Sequence, residues 1–459
     1  MAKIYAGARI RTLRTGLDLT QVEMARQLNM STSYLNQLEN DQRPITATVL
    51  MSLISTFNVD ATYFSPDRDA RHIADLSATY PSVPVEQWRD LIARYPDVAQ
   101  ALIDRAEPSS EPHPGPFEQV RDFFYDSNNY IDQLDRLAEQ GASELGQAQI
   151  RLTRLAAALD RDLGVTVRYR RHATGPRRVF DPERREVNIR ADLTEAQMCF
   201  QLALQYGLLA HRELLERLAS DNFPEDEEAR RVAVLGLAQY YAAALTLPYE
   251  DFFHTAEEYH YDIDRLSRHW GAGIETICHR LSTLQRPGSN GVPFFFVRTD
   301  RAGNISKRQS AMSFHFARSG GSCPLWVIHR AFETPGRVTR QVAEMPDGRR
   351  YLWVARTIAG RVREFGAPRK EFAVGLGCEL SQADRLIYSR GLDLSPESAT
   401  PIGPGCEWCV RSQCPQRAFP QRHRPIALNL DISVDEPYRT LPMRPSSGRR
   451  APRGGGRLP

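Results

Sequence analysis

The sequence predicts a multidomain protein that begins with an all-α domain, continues through a helical linker and ends in α+β domains. Apolar residues recur at helical spacing through the first part of the chain, whereas apolar and polar residues alternate in several later stretches. A segment rich in proline and serine, PSSEPHPGP, ends at Pro116 and separates two helical regions. The length of 459 residues suits about three domains.

The composition is that of an ordinary globular chain, with 41% hydrophobic residues, 25% charged residues and a formal net charge of +3. No apolar run approaches the roughly 20 residues of a membrane span, and the first residues do not have the form of a signal peptide. We therefore expect a cytoplasmic protein without membrane contact. The seven cysteines argue against a disulfide framework, because their number is odd, and favour free thiols or a metal.

The most informative stretch is LTQVEMARQLNMSTSYLNQLENDQRP, residues 19–44. Thr20 is a good cap for a short helix. The predicted inward face of that helix comprises Val22, Met24, Ala25 and Leu28. Asn29 fits a turn, because asparagine accepts the left-handed backbone conformation at modest cost. Ser31 or Thr32 then caps a second helix, with leucines inward and short polar side chains outward.

This stretch resembles the two-helix core of the helix-turn-helix in phage-repressor-type (Xre family) DNA-binding proteins. The resemblance implies that Gln21 contacts a DNA phosphate. It implies major-groove contacts from Ser31, Thr32, Ser33 and Gln37. It also implies a buried pair between Arg14 and Glu39. The alternative interpretation is an ordinary helical hairpin with a polar surface.

Residues 1–66 carry six basic and five acidic residues, so a single copy should bind DNA weakly. We expect a homodimer or higher homo-oligomer on double-stranded operator DNA, with half-sites about 34 Å apart. Helices predicted over 117–163 carry leucines that either pack a dimer or pack within one chain. These are Leu134, Leu137, Leu152, Leu155 and Leu159.

The next block begins with a predicted β-hairpin, VTVRYRRH and RRVFDPERREVNI, with Asp181 and Pro182 at its turn. Helical segments are predicted to follow over 194–218, 225–247 and 251–284. The phrases MCFQLALQYGLLAH and EDEEARRVAVLGLAQYYAAALTLP resemble the IrrE/ImmA metallopeptidase-like family.

In that family a His-Glu-x-x-His helix binds zinc and activates water. The matching positions here are Leu204, Gln205 and Leu208. His211 lies nearby and Glu228 matches the third ligand, but one imidazole and one carboxylate do not hold zinc. The resemblance therefore implies a peptidase fold that serves as a scaffold or ligand pocket, in a protein that is not an enzyme. The alternative is a metallopeptidase-type stress regulator.

Further along, GVPFFFVRTD predicts a strand through Phe294 and Phe296, and a second strand is predicted through Phe314 and Phe316. YLWVARTIA (351–359) and EFAVGLGCEL (371–380) are further strand candidates, the latter followed by a short helix. Strands with intervening helices predict an α+β sensor fold, similar to a GAF or PAS domain.

The phrases PFFFVRTDRAGNISKRQSA, GGSCPLW and GCEWCVRSQCPQRAFP resemble the short-chain fatty acyl transcriptional regulator family, over residues 3–430. The resemblance implies a transcription factor that senses CoA or a short-chain acyl-CoA. It would control genes for acetate or propionate use, such as those of the methylcitrate or glyoxylate routes. CoA needs cations for its phosphates and an aromatic surface for its adenine. The candidate ligand residues are Arg170, Tyr241, Lys307 and Arg308, each of which also fits a structural or solvated role.

Three cysteines, Cys406, Cys409 and Cys414, lie close together in the sequence. They follow directly after the Gly-Pro-Gly segment at 403–405. This spacing allows them to converge on one metal centre. A fourth ligand would be Cys323 or Cys378. The resemblance favours a [4Fe–4S] cluster, with zinc as the alternative, and a regulator whose only input is this cluster is a further hypothesis.

The predicted domains follow from these motifs. They are a helix-turn-helix domain (1–66), a helical linker or dimerisation region (67–163), a degenerate peptidase-like domain (164–290), an α+β ligand-sensing domain (291–400), a cysteine-cluster segment (401–430) and a disordered basic tail (431–459).

Overall fold

The computed structural model describes residues 7–57 except 18 and 41, 115–146, 150–171, 175–310, 322–360 and 369–422. It also describes 365, 366 and scattered positions over 73–102 and 426–435. The chain divides into two compact units. One comprises Met1–Ser110, His315–Cys323 and Gly403–Pro459, and the other comprises Glu111–Phe314 and Pro324–Ile402.

The first unit begins with short helices that share one apolar core. They are α1 (Gly7–Gly16), α2 (Gln21–Gln27), α3 (Thr32–Glu39) and α4 (Ala47–Phe57), and α5 (Val85–Arg94) follows later in the chain. Thr20 caps α2 as predicted, with a reciprocal hydrogen-bond pair to Glu23. The core includes Met24 and Leu35, which are fully buried. The prediction that Val22 faces inward is wrong, because its side chain is 64% exposed at the first turn of α2.

The second unit opens with α6 (Pro116–Asp126), α7 (Asp132–Leu145) and α8 (Arg151–Leu163). Leu134, Leu155 and Leu159 are fully buried in the core of their own chain. The structure therefore bears out packing within one chain for these leucines. A dimer remains a prediction.

A small sheet follows, built from β1 (Thr166–Arg170), β2 (Arg178–Asp181) and β3 (Glu186–Arg190). The predicted hairpin turn lies between β2 and β3, where the Asp181 side chain accepts hydrogen bonds from two backbone N–H groups. The pairing of β1 differs from the prediction, because it runs parallel to β3. A parallel pair requires a longer connection than a hairpin, and the sequence pattern alone does not show it.

Helices then form most of the middle of this unit. They are α9 (Glu195–Ala210), α10 (Arg212–Asn222), α11 (Glu227–Thr246), α12 (Tyr249–Glu258), α13 (Ile263–Trp270) and α14 (Ile274–Leu281). Among the described helices, none is by itself long and apolar enough to cross a membrane, although α11 and α12, which meet at a bend of 62°, reach that length and composition together. Buried alanines and tyrosines line α11, which packs against α6, α7, α9 and α10.

The described strands of the carboxyl half form a sheet in the order β5-β4-β8-β7-β6-β9. These strands are β4 (Phe295–Thr299), β5 (Ile305–Ser310), β6 (Thr339–Glu344), β7 (Arg350–Ala359), β8 (Glu371–Glu379) and β9 (Thr400–Pro401). Only the short β6–β9 pair is parallel. A short helix, α15 (Val327–Arg330), packs on the sheet, and 3-10 segments span Leu380–Arg385, Ile387–Ser389 and Pro396–Ser398.

The predicted strands at Phe296, 351–359 and 371–380 are present. The strand predicted through Phe314 and Phe316 lies outside the described residues, and β5 precedes it. The strand β6 was not predicted, because TRQVAE is too polar to form an apolar run.

Candidate functional sites

The first candidate site is the exposed face of α3. The hydroxyl of Ser31 accepts the N–H of Tyr34 at 3.1 Å, which starts the helix. Asn29 takes the left-handed conformation, with φ of 51°, in the turn before it. Buried leucines hold the inner face, so Ser31 and Ser33 are exposed while Thr32 and Gln37 are half-buried. The helix thus presents the polar side chains that the sequence predicted.

The orientation of α3 is set by a buried carboxylate. Glu39 has no exposed side-chain surface, and it accepts two hydrogen bonds from Arg14, from Nε at 2.6 Å and from Nη2 at 3.2 Å. The predicted pair is confirmed. The Gln21 amide also donates to Glu39, at 2.7 Å, so one carboxylate fixes the relative positions of α1, α2 and α3.

The resemblance to the peptidase-like family places its metal ligands and base at three positions of α9, where this chain has two leucines and a glutamine. Leu204 and Gln205 are buried on α9, and Leu208 is half-buried. His211 contacts the Tyr241 hydroxyl at 3.1 Å, and burial lowers the pKa of His211. Glu228 is exposed at the start of α11. Among the described residues, no three His, Cys, Asp or Glu side chains lie close enough to hold a metal ion.

The second candidate site is a cavity of about 910 Å³ in the second unit. It lies between the starts of α8 and α9, the end of α11, the α13–α14 region and the strands β5, β7 and β8. Six basic residues and two acidic residues, Glu195 and Glu275, line it in the described part of the chain. The basic residues are Arg151, Arg177, Arg268, Lys307, Arg356 and Lys370. Its aromatic wall includes Phe200, Trp270 and Phe372.

The charges in this cavity are arranged around Glu275. Its Oε1 atom is 2.6 Å from Nη1 of Arg298 and 3.4 Å from Nζ of Lys307. Burial opposes ionisation of Glu275, but Lys307 and Arg298 together hold its pKa below the usual range. Burial, with a further contribution from Lys307, lowers the pKa of His279 to about 3, so that imidazole is neutral at physiological pH.

The other cations that line the cavity have partners of different kinds. Arg151 is 5% exposed and donates to the backbone carbonyls of Thr246, at 2.6 Å, and Gly146, at 3.0 Å. Arg356 pairs with Asp264. Lys370 lies 5.2 Å from the centre of the Phe372 ring, and burial lowers the pKa of Lys370. The wall therefore combines positive charge with aromatic surface.

The third candidate site is the loop that carries the cysteine triplet. Arg417 is 5% exposed and donates to the carbonyls of Cys406, at 3.0 Å, and Cys409, at 3.2 Å. The Ala418 N–H donates to the Cys406 sulfur at 3.3 Å. A side chain at Gly403 would place its Cβ 2.5 Å from the Cys409 sulfur, so only glycine fits there. The loop is thus a defined turn held by one buried guanidinium.

Family models match three parts of this chain. A helix-turn-helix family model matches residues 10–64, an IrrE N-terminal-like domain matches 160–282, and the carboxyl-terminal model of the short-chain fatty acyl coenzyme A regulators matches 283–438. The HTH-type transcriptional regulator PrpR of Mycobacterium tuberculosis is 46% identical over 95% of this chain and 96% of its own length. The chain belongs to the short-chain fatty acyl coenzyme A regulator family.

Other members of this family match over similar lengths. The HTH-type transcriptional regulator RamB of Mycobacterium tuberculosis is 41% identical, over 95% of this chain and 99% of its own. A propionyl-CoA carboxylase regulator of Cereibacter sphaeroides is 40% identical, over 95% and 98%. A solved structure, a Mycobacterium tuberculosis transcriptional regulator, is 47% identical and covers 70% of this chain and 99% of its own, with a TM-score of 0.68. In this chain the family models place a helix-turn-helix ahead of an IrrE-like block, as the sequence predicted.

Of the four predicted ligand residues, Lys307 lines the cavity of this regulator. Arg170 is exposed on β1 and donates to the Asn188 side chain at 2.9 Å. Tyr241 is 1% exposed inside α11, and Arg308 follows Lys307 on β5 without lining the cavity. Binding roles for these residues stay predictions, and the geometry favours Lys307.

The cavity residues that sequence reasoning missed are spread over the chain. Arg151, Trp270, Glu275 and Phe372 come from α8, α13, α14 and β8. Each one alone looks like an ordinary helix or strand residue. A cation and an acid at the start of successive helices is too common a pattern to mark a pocket.

Proposed function

We propose that this chain is a cytoplasmic transcription regulator of short-chain fatty acid metabolism, acting on genes for acetate or propionate use, and that CoA or a short-chain acyl-CoA binds in the 910 Å³ cavity. The observation that carries the proposal is that one chain combines a helix-turn-helix with a large basic cavity. The names of the relatives support the choice of genes, since they include a propionyl-CoA carboxylase regulator.

The chemistry of the cavity suits CoA. Phosphate groups need cations, which Lys307 on β5, Arg356 on β7 and Lys370 just before β8 supply. Adenine needs a flat apolar surface, which Trp270 or Phe372 offers. Pockets for ligands of this size commonly measure about 300 to 1,000 Å³. The order 2-1-5-4-3 of the antiparallel strands β4 to β8 supports a GAF- or PAS-like sensor domain around this ligand.

On DNA, the exposed face of α3 enters the major groove with Ser31, Thr32, Ser33 and Gln37 near base edges. Gln21, already oriented by Glu39, contacts a phosphate. A homodimer places two such helices on one operator. Effector binding changes operator affinity only if it favours one arrangement of the dimer, and a tenfold preference corresponds to about 1.4 kcal/mol.

Operator binding with and without effector tests the proposal. We expect CoA or propionyl-CoA to change operator affinity at least about fivefold in a fluorescence anisotropy titration of the full chain. Gln37→Ala should weaken operator binding by about 1–3 kcal/mol and leave CoA binding unchanged. A wild-type chain whose operator affinity is insensitive to CoA and to every short-chain acyl-CoA contradicts the sensor role.

We further propose a metal centre on the thiols of Cys406, Cys409 and Cys414. The structure does not bring these three described thiols close enough together to hold an ion, so binding of the metal would have to draw the loop together. The thiolate donors suit a [4Fe–4S] cluster or zinc. Cys323 is our preferred fourth ligand, because it belongs to the same compact unit as the loop. Cys378 is buried in the core of the other unit, where burial raises its pKa to about 12.

Elemental analysis distinguishes the possibilities for this centre. After anaerobic purification we expect four iron and four sulfide per chain for the cluster, or one zinc in its place. Cys409→Ser should lose the metal, and Cys378→Ser should retain it. Metal-free wild-type protein, or full retention in Cys409→Ser, contradicts the site.

A further inference from the structure

Glu275 occupies an unusual position in the basic cavity. It lies in the first turn of α14 and lines the cavity together with Lys307. Its carboxylate is shared between two cations, Arg298 and Lys307, through the same oxygen atom. A cavity that binds an anionic ligand therefore contains an anion of its own.

The two cations are held with different strength. Arg298 is only 14% exposed, donates to Glu275 at 2.6 Å, and is further fixed by Ser306 and by the face of the Phe372 ring. Lys307 is 41% exposed, and its 3.4 Å separation from Glu275 is longer than a normal hydrogen bond. Ion pairs of this exposed kind contribute little to stability. Lys307 is the cation that can leave.

When no ligand is bound, the positive charges around Glu275 outnumber the negative ones. Lys370 faces the same region, and its charge also acts on the Glu275 carboxylate. Three cations therefore surround one carboxylate, and a phosphate would find surplus positive charge there. A phosphate also offers more charge and more acceptor oxygens than a carboxylate, so Lys307 should bind the phosphate in preference to Glu275.

We propose that Glu275 is a built-in competitor of the effector, which holds Lys307 in the ligand-free chain and yields it to a phosphate group of the bound ligand. This inference rests on the proposed CoA site and names what regulates affinity there. The phosphate is either the 3′-monoester or the diphosphate of CoA, since both present the same chemistry to an ammonium group. Glu275 keeps its bond to Arg298 throughout.

The chain offers a matched control. Glu195 also lines the cavity, lies in the first turn of α9 and carries the same charge. Among the described residues no cation pairs with it. Glu195→Gln therefore changes the charge of the cavity equally without releasing an ion pair.

Calorimetric titration of the full chain with CoA and with 3′-dephospho-CoA tests the proposal. Glu275→Gln should bind CoA about fivefold more tightly than wild type, the factor that corresponds to a partly exposed ion pair. Glu195→Gln should change affinity less than about twofold. If Glu275→Gln raises the affinity for CoA alone, the 3′-phosphate is the group that binds Lys307. If it raises the affinity for both ligands, the diphosphate is that group.

A double-mutant cycle measures the coupling between Glu275 and Lys307, which a general change in the charge of the cavity does not alter. In a Lys307→Gln background, the gain from Glu275→Gln should vanish, because there is no ammonium left to release. If Glu275→Gln does not fold, Glu275→Asp replaces it. The shorter side chain keeps the charge but draws back from Lys307, so it should also tighten binding.

The competitor role is overturned if Glu275→Gln and Glu195→Gln raise the affinity for CoA equally. It is also overturned if Glu275→Gln still raises that affinity in the absence of Lys307. Either result leaves the CoA site intact. Weaker binding in Glu275→Gln also overturns it, because Glu275 would then support the ligand. Failure of the wild type to bind CoA removes the proposed effector itself and this inference with it.

Discussion

At the scale of single residues, a few buried charges determine how this chain orients its functional side chains. Glu39 orients Gln21 and Arg14 behind α3, and Glu275 pairs with Arg298 and Lys307 in the cavity. In both places one carboxylate satisfies two donors. Removing Glu39 leaves buried donors without a partner, which costs more than the pair itself contributes, whereas Lys307 beside Glu275 is 41% exposed and can turn to solvent.

Glu39→Ala should therefore destabilise the helix-turn-helix strongly. Arg14 and Gln21 lose their shared acceptor, and we expect a loss of about 3 kcal/mol in urea unfolding followed by circular dichroism. The double variant Arg14→Met/Glu39→Leu should recover much of this loss, because no buried charge is left unpaired. A double variant as unstable as Glu39→Ala would show that packing, rather than charge, holds the helices.

A second residue-scale prediction concerns pH. The pKa of His279 is lowered to about 3 in the folded chain, from an ordinary value of 6.5. Below pH 6.5 His279 binds a proton in the unfolded chain but not in the folded chain. Its contribution to stability is therefore complete above pH 6.5 and is lost as the pH falls toward 3. His211 and His329 act in the same direction.

Urea unfolding at pH 7 and pH 5 measures this effect. His279→Gln should lose less stability between the two pH values than wild type, while the other two histidines keep part of the slope. An identical pH dependence in variant and wild type contradicts the lowered pKa of His279.

At the scale of elements, the helices of the IrrE-like block pack closely against one another. On α9, Leu204 and Gln205 are buried, and Tyr241 of α11 packs against Gly207. The two helices approach closely because Gly207 has no side chain.

Gly207→Ala separates two opposing effects. Alanine improves helix propensity by about 1 kcal/mol. Its Cβ would lie 2.6 Å from Cδ1 of Tyr241, however, and overpacking in a core costs about 1–3 kcal/mol. We expect net destabilisation in urea unfolding. In a Tyr241→Leu background the ring is gone, so the same substitution should become neutral or stabilising, and a persistent loss there would point to a different neighbour.

At the scale of the whole molecule, the chain divides its tasks between two compact units. The helix-turn-helix and the cysteine loop belong to one, and the cavity lies within the other. A ligand stabilises only the unit that binds it, by about 2.7 kcal/mol at a concentration 100 times its dissociation constant.

Scanning calorimetry of the full chain should therefore show two transitions, of which CoA raises one. Gln37→Ala, which alters only the DNA-binding surface, should show the same shift as wild type. A CoA shift of both transitions by the same amount, or of neither, contradicts a ligand site confined to the second unit.

Local features were predictable because they depend on residues a few positions apart. The Thr20 and Ser31 caps, the Asn29 turn and the turn after Asp181 are each formed within about four residues. Long-range pairings were not. The parallel β1–β3 pair and the strand β6 required contacts that no local pattern encodes.

The sequence by itself determined the order of the helix-turn-helix, the IrrE-like block and the carboxyl-terminal regulator segment, the helix that carries Gln37 and the cysteine triplet, since each is recognised from short patterns of neighbouring residues. Only the tertiary structure decided which cations share a cavity. Arg151, Lys307 and Lys370 meet there because helices and a sheet far apart in sequence pack around it. Burial and charge proximity exist only once the chain has folded, and they give Glu275 and His279 their properties.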